Sequence, residues 1–356
     1  MQGLTVISLR PITSRAISRI FRTDLKSQAA EVVEVGSATS RTGHPAIAMP
    51  DELDRIVRHH PDSCPAFNFS RLLDPIVHQG PAIAYRIQDA VIADGCVLSP
   101  RARQALRKGK RRWLLDEQPE RFETAALCSY WVTEQYFAHW LIDTPSHELL
   151  ARDLDAIPLT LAPTRYSHEP DYRALLSLPK RGVDYARIDD LWVLEDHELN
   201  DHRVARIERN RSELRSTMSG QGPSHVFISR GVTGIGRILA NEAKIADVLA
   251  ARGFTILRPE QEDVRTIVKS LHCASIIVSV EGSAIAHAVM AAPKGCGFLV
   301  LQPPRHFNSL FKSHSDAFGF RFGYTVGEVV SDEVFIQPID RLLRAIDLLE
   351  SAVAKG

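Results

Sequence analysis

His139 and Asp143 stand four residues apart in "AHWLIDT". On a helix that spacing puts the imidazole and the carboxylate on one face, where the carboxylate can fix the ring's tautomer and raise its basicity. Such a pair suits general acid–base work on a hydroxyl; a histidine packed structurally beside Trp140 is the blander reading. A second locus is "SVEGSAIAHAVMA", residues 279 to 291. An apolar run through Ile276, Ile277, Val278 and Val280 stops at Glu281, Gly282 and Ser283, and a helix of small residues follows. Unpaired N–H groups at that helix start can receive an anion or a sugar hydroxyl beside Gly282 and Ser283. Glu281 can bind a hydroxyl or act as a rival base. A third locus is "RGVTGIGR", in which Arg230 and Arg237 bracket a glycine-rich turn.

These residues need a scaffold that brings strand ends together. The spacing of apolar residues predicts strands at 225–229, 254–258, 276–280 and 297–302. Between them it predicts helices at 237–252, over "EDVRTIVKSLH" and over "SAIAHAVMAA". The 237–252 helix ends in Arg252-Gly253, an expected C-cap. Alternating strands and helices imply a parallel doubly wound sheet, whose ligands sit outside the carboxyl ends of the strands. Arg230, Arg237, Glu260, Gln261, Glu281, Ser283 and Arg305 would then share one rim. The first half carries a weaker version of the plan. "AIAYRIQDAVIADGCVLS" reads as a strand pair turning at Asp-Gly, followed by helix, strand, helix and strand patterns up to "DLWVLE". The tail "QPIDRLLRAIDLLESAVA" is an amphipathic helix.

Composition limits the function classes. At 356 residues with 44% hydrophobic content, two domains with real cores are expected. Lys+Arg and Asp+Glu both total 43, which argues against a nucleic-acid-coating protein. Five scattered cysteines without a C-x-x-C pair read as reduced core thiols of a cytosolic protein. No apolar run approaches the roughly 18 to 20 residues of a spanning helix, so the chain reads as soluble. The Arg-rich, acid-poor start resembles an organelle transit peptide or a membrane-surface helix, with a frayed basic start as the plainer reading, and the run "RARQALRKGKRR", residues 101 to 112, is either a solvated face or a contact with an anionic acceptor, a lipid phosphate or a membrane surface. "EDHELNDH" offers Asp196, His197, Asp201 and His202, but at no familiar zinc spacing.

The order "HWLIDTPSHELL", "VFISR…GRILANEAKIADVLAARGFTIL", "PEQ" and "ASIIVSVEGSAIAHAVMA" resembles glycosyltransferase family 61 over roughly 125 to 325. The residues that carry the resemblance are Ser229-Arg230, Arg237, Asn241-Glu242, Gly253-Phe254 and Glu260-Gln261. The family's usual His-Gly-Ala turn is Glu281-Gly282-Ser283 here. The resemblance implies an α/β GT-B-like fold, with two Rossmann-like domains facing across a cleft and a C-terminal helix returning to the N-terminal domain. The expected boundaries are an acceptor-side domain at 1–185, joined by the helix 338–356, and a nucleotide-sugar-binding domain at 186–337. It also implies inverting, metal-independent transfer from a nucleotide-sugar, a UDP-sugar first, to a polysaccharide or glycolipid acceptor. The donor is a co-substrate, and neither a resident cofactor nor a metal is expected.

On that reading Arg230 and Arg237 neutralise the departing diphosphate, since a guanidinium is a fixed fork matched to phosphate oxygens. Asn241 and Glu242 orient them, and Glu260, Gln261, Gly282 and Ser283 complete the donor side. His139, supported by Asp143, is the acceptor-side base, with Glu281 its rival. A cytoplasmic place is expected, peripheral to the inner membrane face; self-association into a homo-oligomer stays open. Two alternatives remain. "GVTGIGR" imitates the loop of an NAD(P)-dependent Rossmann oxidoreductase, although Gly231, Gly234 and Gly236 are spaced G-x-x-G-x-G. A non-catalytic nucleotide- or carbohydrate-binding relative would retain the fold without turnover.

Overall fold

The computed structural model describes residues 8–21, 23–108, 118–163, 165–179, 181–231 and 237–355. Gly234 and Gly236 of the glycine-rich turn, and residues 109–112 of the basic run, lie outside the described residues. The chain is a mixed α/β protein of two compact units: Met1–Thr39 with Gly80–Ile207, and Ser40–Gln79 with Glu208–Gly356. Among the described residues no helix is long and apolar enough to cross a membrane.

The second unit holds the expected parallel sheet. Its strand order is Thr255–Leu257, His225–Ile228, Ile276–Val280, Gly297–Gln302, Arg321–Val326, every pair parallel. All carboxyl ends therefore lie on one edge. The central strands are buried throughout, which is why their sequence is a continuous apolar run. Helix Glu242–Ala251 ends at Gly253, whose φ of +89° suits glycine. That helix is shorter than its periodicity predicts. Ile238–Leu239 instead form a short strand beside Val334–Phe335, and the Ile238 and Ala240 amides donate to Glu333 and Phe335 carbonyls, so those donors are unavailable to a helix.

Three boundary expectations are corrected. Residues 40–79 belong with the second unit because they line its edge strand: the Ile47 amide donates to the Phe322 carbonyl at 2.8 Å, and the Tyr324 amide to Ile47 at 3.1 Å. Glu52, fully buried, accepts from the Val326 amide, the Thr325 hydroxyl and Arg341. The closing helix, Ile339–Ala354, buries Leu342, Ala345, Ile346 and Leu349 in the second unit's own core with Leu299 and Leu301. Its apolar stripe is covered there, so the helix groups with the second unit rather than with 1–185. The division at 207/208, rather than 185/186, falls inside the helix Asp201–Ser216. The latter half of that helix is fastened by Arg211, which donates to the Ala292 carbonyl at 2.9 Å and lies over the Phe318 and Phe320 rings. Burial pushes the Arg211 guanidinium down to about 10, with Glu208 opposing.

The first unit's sheet is mixed rather than Rossmann-like. Tyr185–Glu195 lies antiparallel to Ala82–Ala93 on one side and parallel to Glu120–Leu127 on the other. Ile157–Leu161 and Gly182–Val183 continue the parallel half, while Cys96–Leu98, Arg103–Ala105 and Glu31–Gly36 extend the antiparallel half. The Asp-Gly signal does make the hairpin: Asp94 and Gly95, with φ of +53° and +68°, join Ala82–Ala93 to Cys96–Leu98. Cys96, Cys128 and Cys296 are buried free thiols, but Cys64 and Cys273 are exposed, so only part of the cysteine set is core.

Candidate active site

In the first unit, His139 and Asp143 sit on the helix Phe137–Asp153. The helix is buried on nearly all faces from Trp140 to Ala151, so its charged side chains must find partners. His139 Nδ1 is 2.9 Å from Asp143 Oδ2. Asp143 also accepts from the Tyr130 hydroxyl and from the buried Arg203 guanidinium. Burial, the largest single influence, would raise the Asp143 carboxyl, but Arg203, His139 and Tyr130 together outweigh it and hold the group well below the carboxylate range. Burial and the Asp143 charge push the Tyr130 phenol well up, so it remains a donor. With Asp143 ionised, the shared hydrogen belongs to Nδ1, and Nε2 is the basic nitrogen of neutral His139. Two further histidines approach the network: His197 packs 4.6 Å from the Tyr130 ring and His147 packs 5.7 Å from it. Asp196 is occupied by Arg206 and by His147, as an ion-pair anchor.

In the second unit the loops after four strands converge, as parallel topology requires. Glu281 follows the central strand and is 3% exposed. Its carboxylate pairs with Arg237, and its carbonyl accepts from Arg230 Nη1 at 2.9 Å. The Arg230 amide donates to Glu242 Oε1 at 2.6 Å. Burial lowers the Arg230 guanidinium, and the neighbouring Arg237 charge adds to it. Gly282 has φ +148°, and a Cβ there would run into Arg230 Nη1, so glycine is what lets the guanidinium lie against the turn. Gly231, at φ +67°, likewise approaches Glu260, whose carboxylate would stand 3.0 Å from a Cβ. Glu260 and Gln261 are exposed on the turn Pro259–Gln261, and Ser283 is half-buried. Asn241 is spent elsewhere: its side chain exchanges two hydrogen bonds with the Gln337 main chain.

Two residues at this rim escaped the sequence reading. His60 and His306 stand with ring centroids 6.1 Å apart. Both are lowered first by burial and next by the Arg237 charge, which places them in the field of the arginine–Glu281 group. His60 arrives on the 40–79 segment, where its amide donates to the Phe307 carbonyl. The only sequence signal was the pair His59-His60; His306 was one residue beyond the flagged Arg305. Arg305 itself pairs with Asp332 at 2.7 Å. Beside Arg237, a shallow cleft is lined by Pro303, Pro304, His306 and residues 331–335. The arrangement gathers the Arg230 and Arg237 guanidiniums, the Glu281 and Glu242 carboxylates and two histidines at the mouth of a parallel sheet.

Comparison with known proteins agrees with the motif order. Residues 137–299 match the family described as Glycosyltransferase 61. A search of curated proteins finds no match. Among solved structures, the dodecameric iron-containing heptosyltransferase TibC in complex with ADP-D-beta-D-heptose is similar at 11% identity and a TM-score of 0.37, covering 77% of this chain and 94% of that one. That overlap is too loose to carry over its chemistry. The matched stretch contains His139, Asp143, Arg230, Arg237 and Glu281, and over it the chain carries a glycosyltransferase family 61 domain.

Proposed function

We propose that the protein transfers a sugar from a nucleotide-sugar, a UDP-sugar first, to a polysaccharide or glycolipid acceptor with inversion and without a metal. The observation that carries this is the pairing of two guanidiniums, Arg230 and Arg237, on the Glu281 turn at the carboxyl end of the central parallel strand. A departing diphosphate needs its charge met, and partly desolvated arginines at such a rim suit that task. Glu281, held by Arg237, serves here to aim the guanidinium and to bind donor hydroxyls.

The GT-B organisation implied by the family resemblance remains part of this proposal, with the donor on the parallel-sheet unit and the base on the mixed-sheet unit. The acceptor oxygen attacks the anomeric carbon, its proton passes to His139 Nε2, and the bond to the diphosphate breaks with its electrons leaving on phosphate. Asp143 steadies the imidazolium that forms. A thermal-shift screen of UDP-, GDP-, CMP- and dTDP-sugars tests the donor side, because a binder raises the melting midpoint by mass action. Arg230→Ala and Arg237→Ala should each abolish that shift and lower transfer by about 10²-fold or more. A full shift and full turnover in either variant would assign that arginine to structure alone.

A further inference from the structure

We infer that one edge of the first unit is a docking surface for an anionic membrane. The helix Arg10–Phe21 is turned the opposite way from an ordinary surface helix. It buries only Pro11 and Ser14. Leu9 is 55% exposed, Ile12 37%, Ile20 72% and Phe21 69%. Leu9, Ile12, Ala16 and Ile20 recur at i, i+3, i+7 and i+11, so they form one outward stripe. Single exposed apolar residues are ordinary, but a stripe at helical period covers a continuous patch.

Arg10 is paired with Asp89, whereas Arg19 stands exposed beside Ala16 of the stripe. The first acidic residue of the chain is Asp24, after arginines at 10, 15, 19 and 22. The fold then brings up a second basic segment. Ser14 donates its hydroxyl to the Ser99 carbonyl at 2.6 Å, and Thr23 donates to the Arg101 carbonyl at 2.5 Å. The helix thus lies along the turn where the basic run 101–112 begins, against the sheet's terminal strand, Arg103–Ala105. Arg19 is exposed on the helix itself, and Arg101, also exposed though 82 positions away, stands on the turn that Thr23 reaches. An apolar stripe flanked by arginines is what enters a headgroup layer, the side chains reaching acyl chains while guanidiniums stay with lipid phosphates. A soluble polyanion would use the arginines and leave Ile12, Ile20 and Phe21 in water. This surface lies in the first unit and does not depend on the donor-site reading.

Vesicle flotation of the full chain tests it, with phosphatidylcholine vesicles beside mixed phosphatidylcholine–phosphatidylglycerol vesicles. The wild type should float with the anionic vesicles, stay behind with the neutral ones, and be released by salt. Ile20→Glu should weaken binding by about tenfold or more, since it puts a charge into the stripe. Arg19→Glu with Arg101→Glu should weaken it by about fivefold per position. These side chains are exposed, so unchanged melting midpoints will show that the fold persists. Equal flotation with neutral vesicles, or binding indifferent to all three substitutions, would overturn the inference. So would a solution dimer that Ile20→Glu dissociates, because the stripe would then be covered by a second copy.

Discussion

Asp143 separates the two readings of His139, because its carboxylate has obligations beyond the imidazole. Arg203 is 3% exposed and depends on Asp143 for its charge partner. Asp143→Asn should therefore cost stability, about 3 to 5 kcal/mol by urea unfolding, as the loss of one partner in a buried pair does. His139 is 28% exposed, and His139→Ala should leave the urea midpoint nearly unchanged. In the proposed role it should nonetheless lower transfer by about 10²-fold or more while donor-induced thermal shifts persist. Active His139→Ala enzyme would return this residue to the packed histidine that its place beside Trp140 suggests. The helix spacing of the pair was legible in the sequence. Tyr130 and Arg203 were not, because they enter from elsewhere in the chain.

Elements decide what the Asn241-Glu242 pair can do. Helical continuity from Arg237 would have put both on a face near the arginines, yet the strand Ile238–Leu239 breaks that face. Glu242 still meets the Arg230 main chain, whereas Asn241 joins its own turn to Gln337. Asn241→Ala should lower stability by about 1 to 3 kcal/mol, since it strands two main-chain groups, and leave donor binding unaffected. A normal urea midpoint with lost donor binding would reverse that assignment. The closing helix offers a parallel test. Leu349 is fully buried against the sheet, and Leu349→Ala should cost about 2 to 5 kcal/mol by the same measurement.

Over the whole molecule, buried titrating groups set the response to pH. His147 is 1% exposed, and burial holds it below its ordinary value, with Asp196 opposing and Arg203 reinforcing. The unfolded chain then binds a proton, near pH 6.5, that the native state resists, so stability should fall as pH drops below about 6.5. His147→Gln should flatten that slope in urea titrations between pH 7 and pH 5, approximate limits chosen around the free histidine value. Asp143 acts lower: its native value is depressed, so its contribution is present above about pH 4 and is lost below it. For catalysis, transfer should persist in excess EDTA, because the proposed phosphate partners are arginines; loss restored by Mn²⁺ would overturn metal independence.

The sequence by itself determined the parallel strands and their order of appearance, since continuous β-branched runs and helical periods are local signals. It also determined the abrupt polar turn at Glu281 and the arginines bracketing the glycine-rich segment. Only the tertiary structure decided that residues 40–79 join the second unit and bring His60 beside His306, because edge pairing with 321–326 leaves no local period to read. The same long-range pairing ended the helix expected from 237 and kept the last helix on its own sheet. It also set the N-terminal helix against the turn at 99–101. Contacts between distant segments are chosen by which surfaces the rest of the chain leaves uncovered, and that choice exists only once the chain has folded.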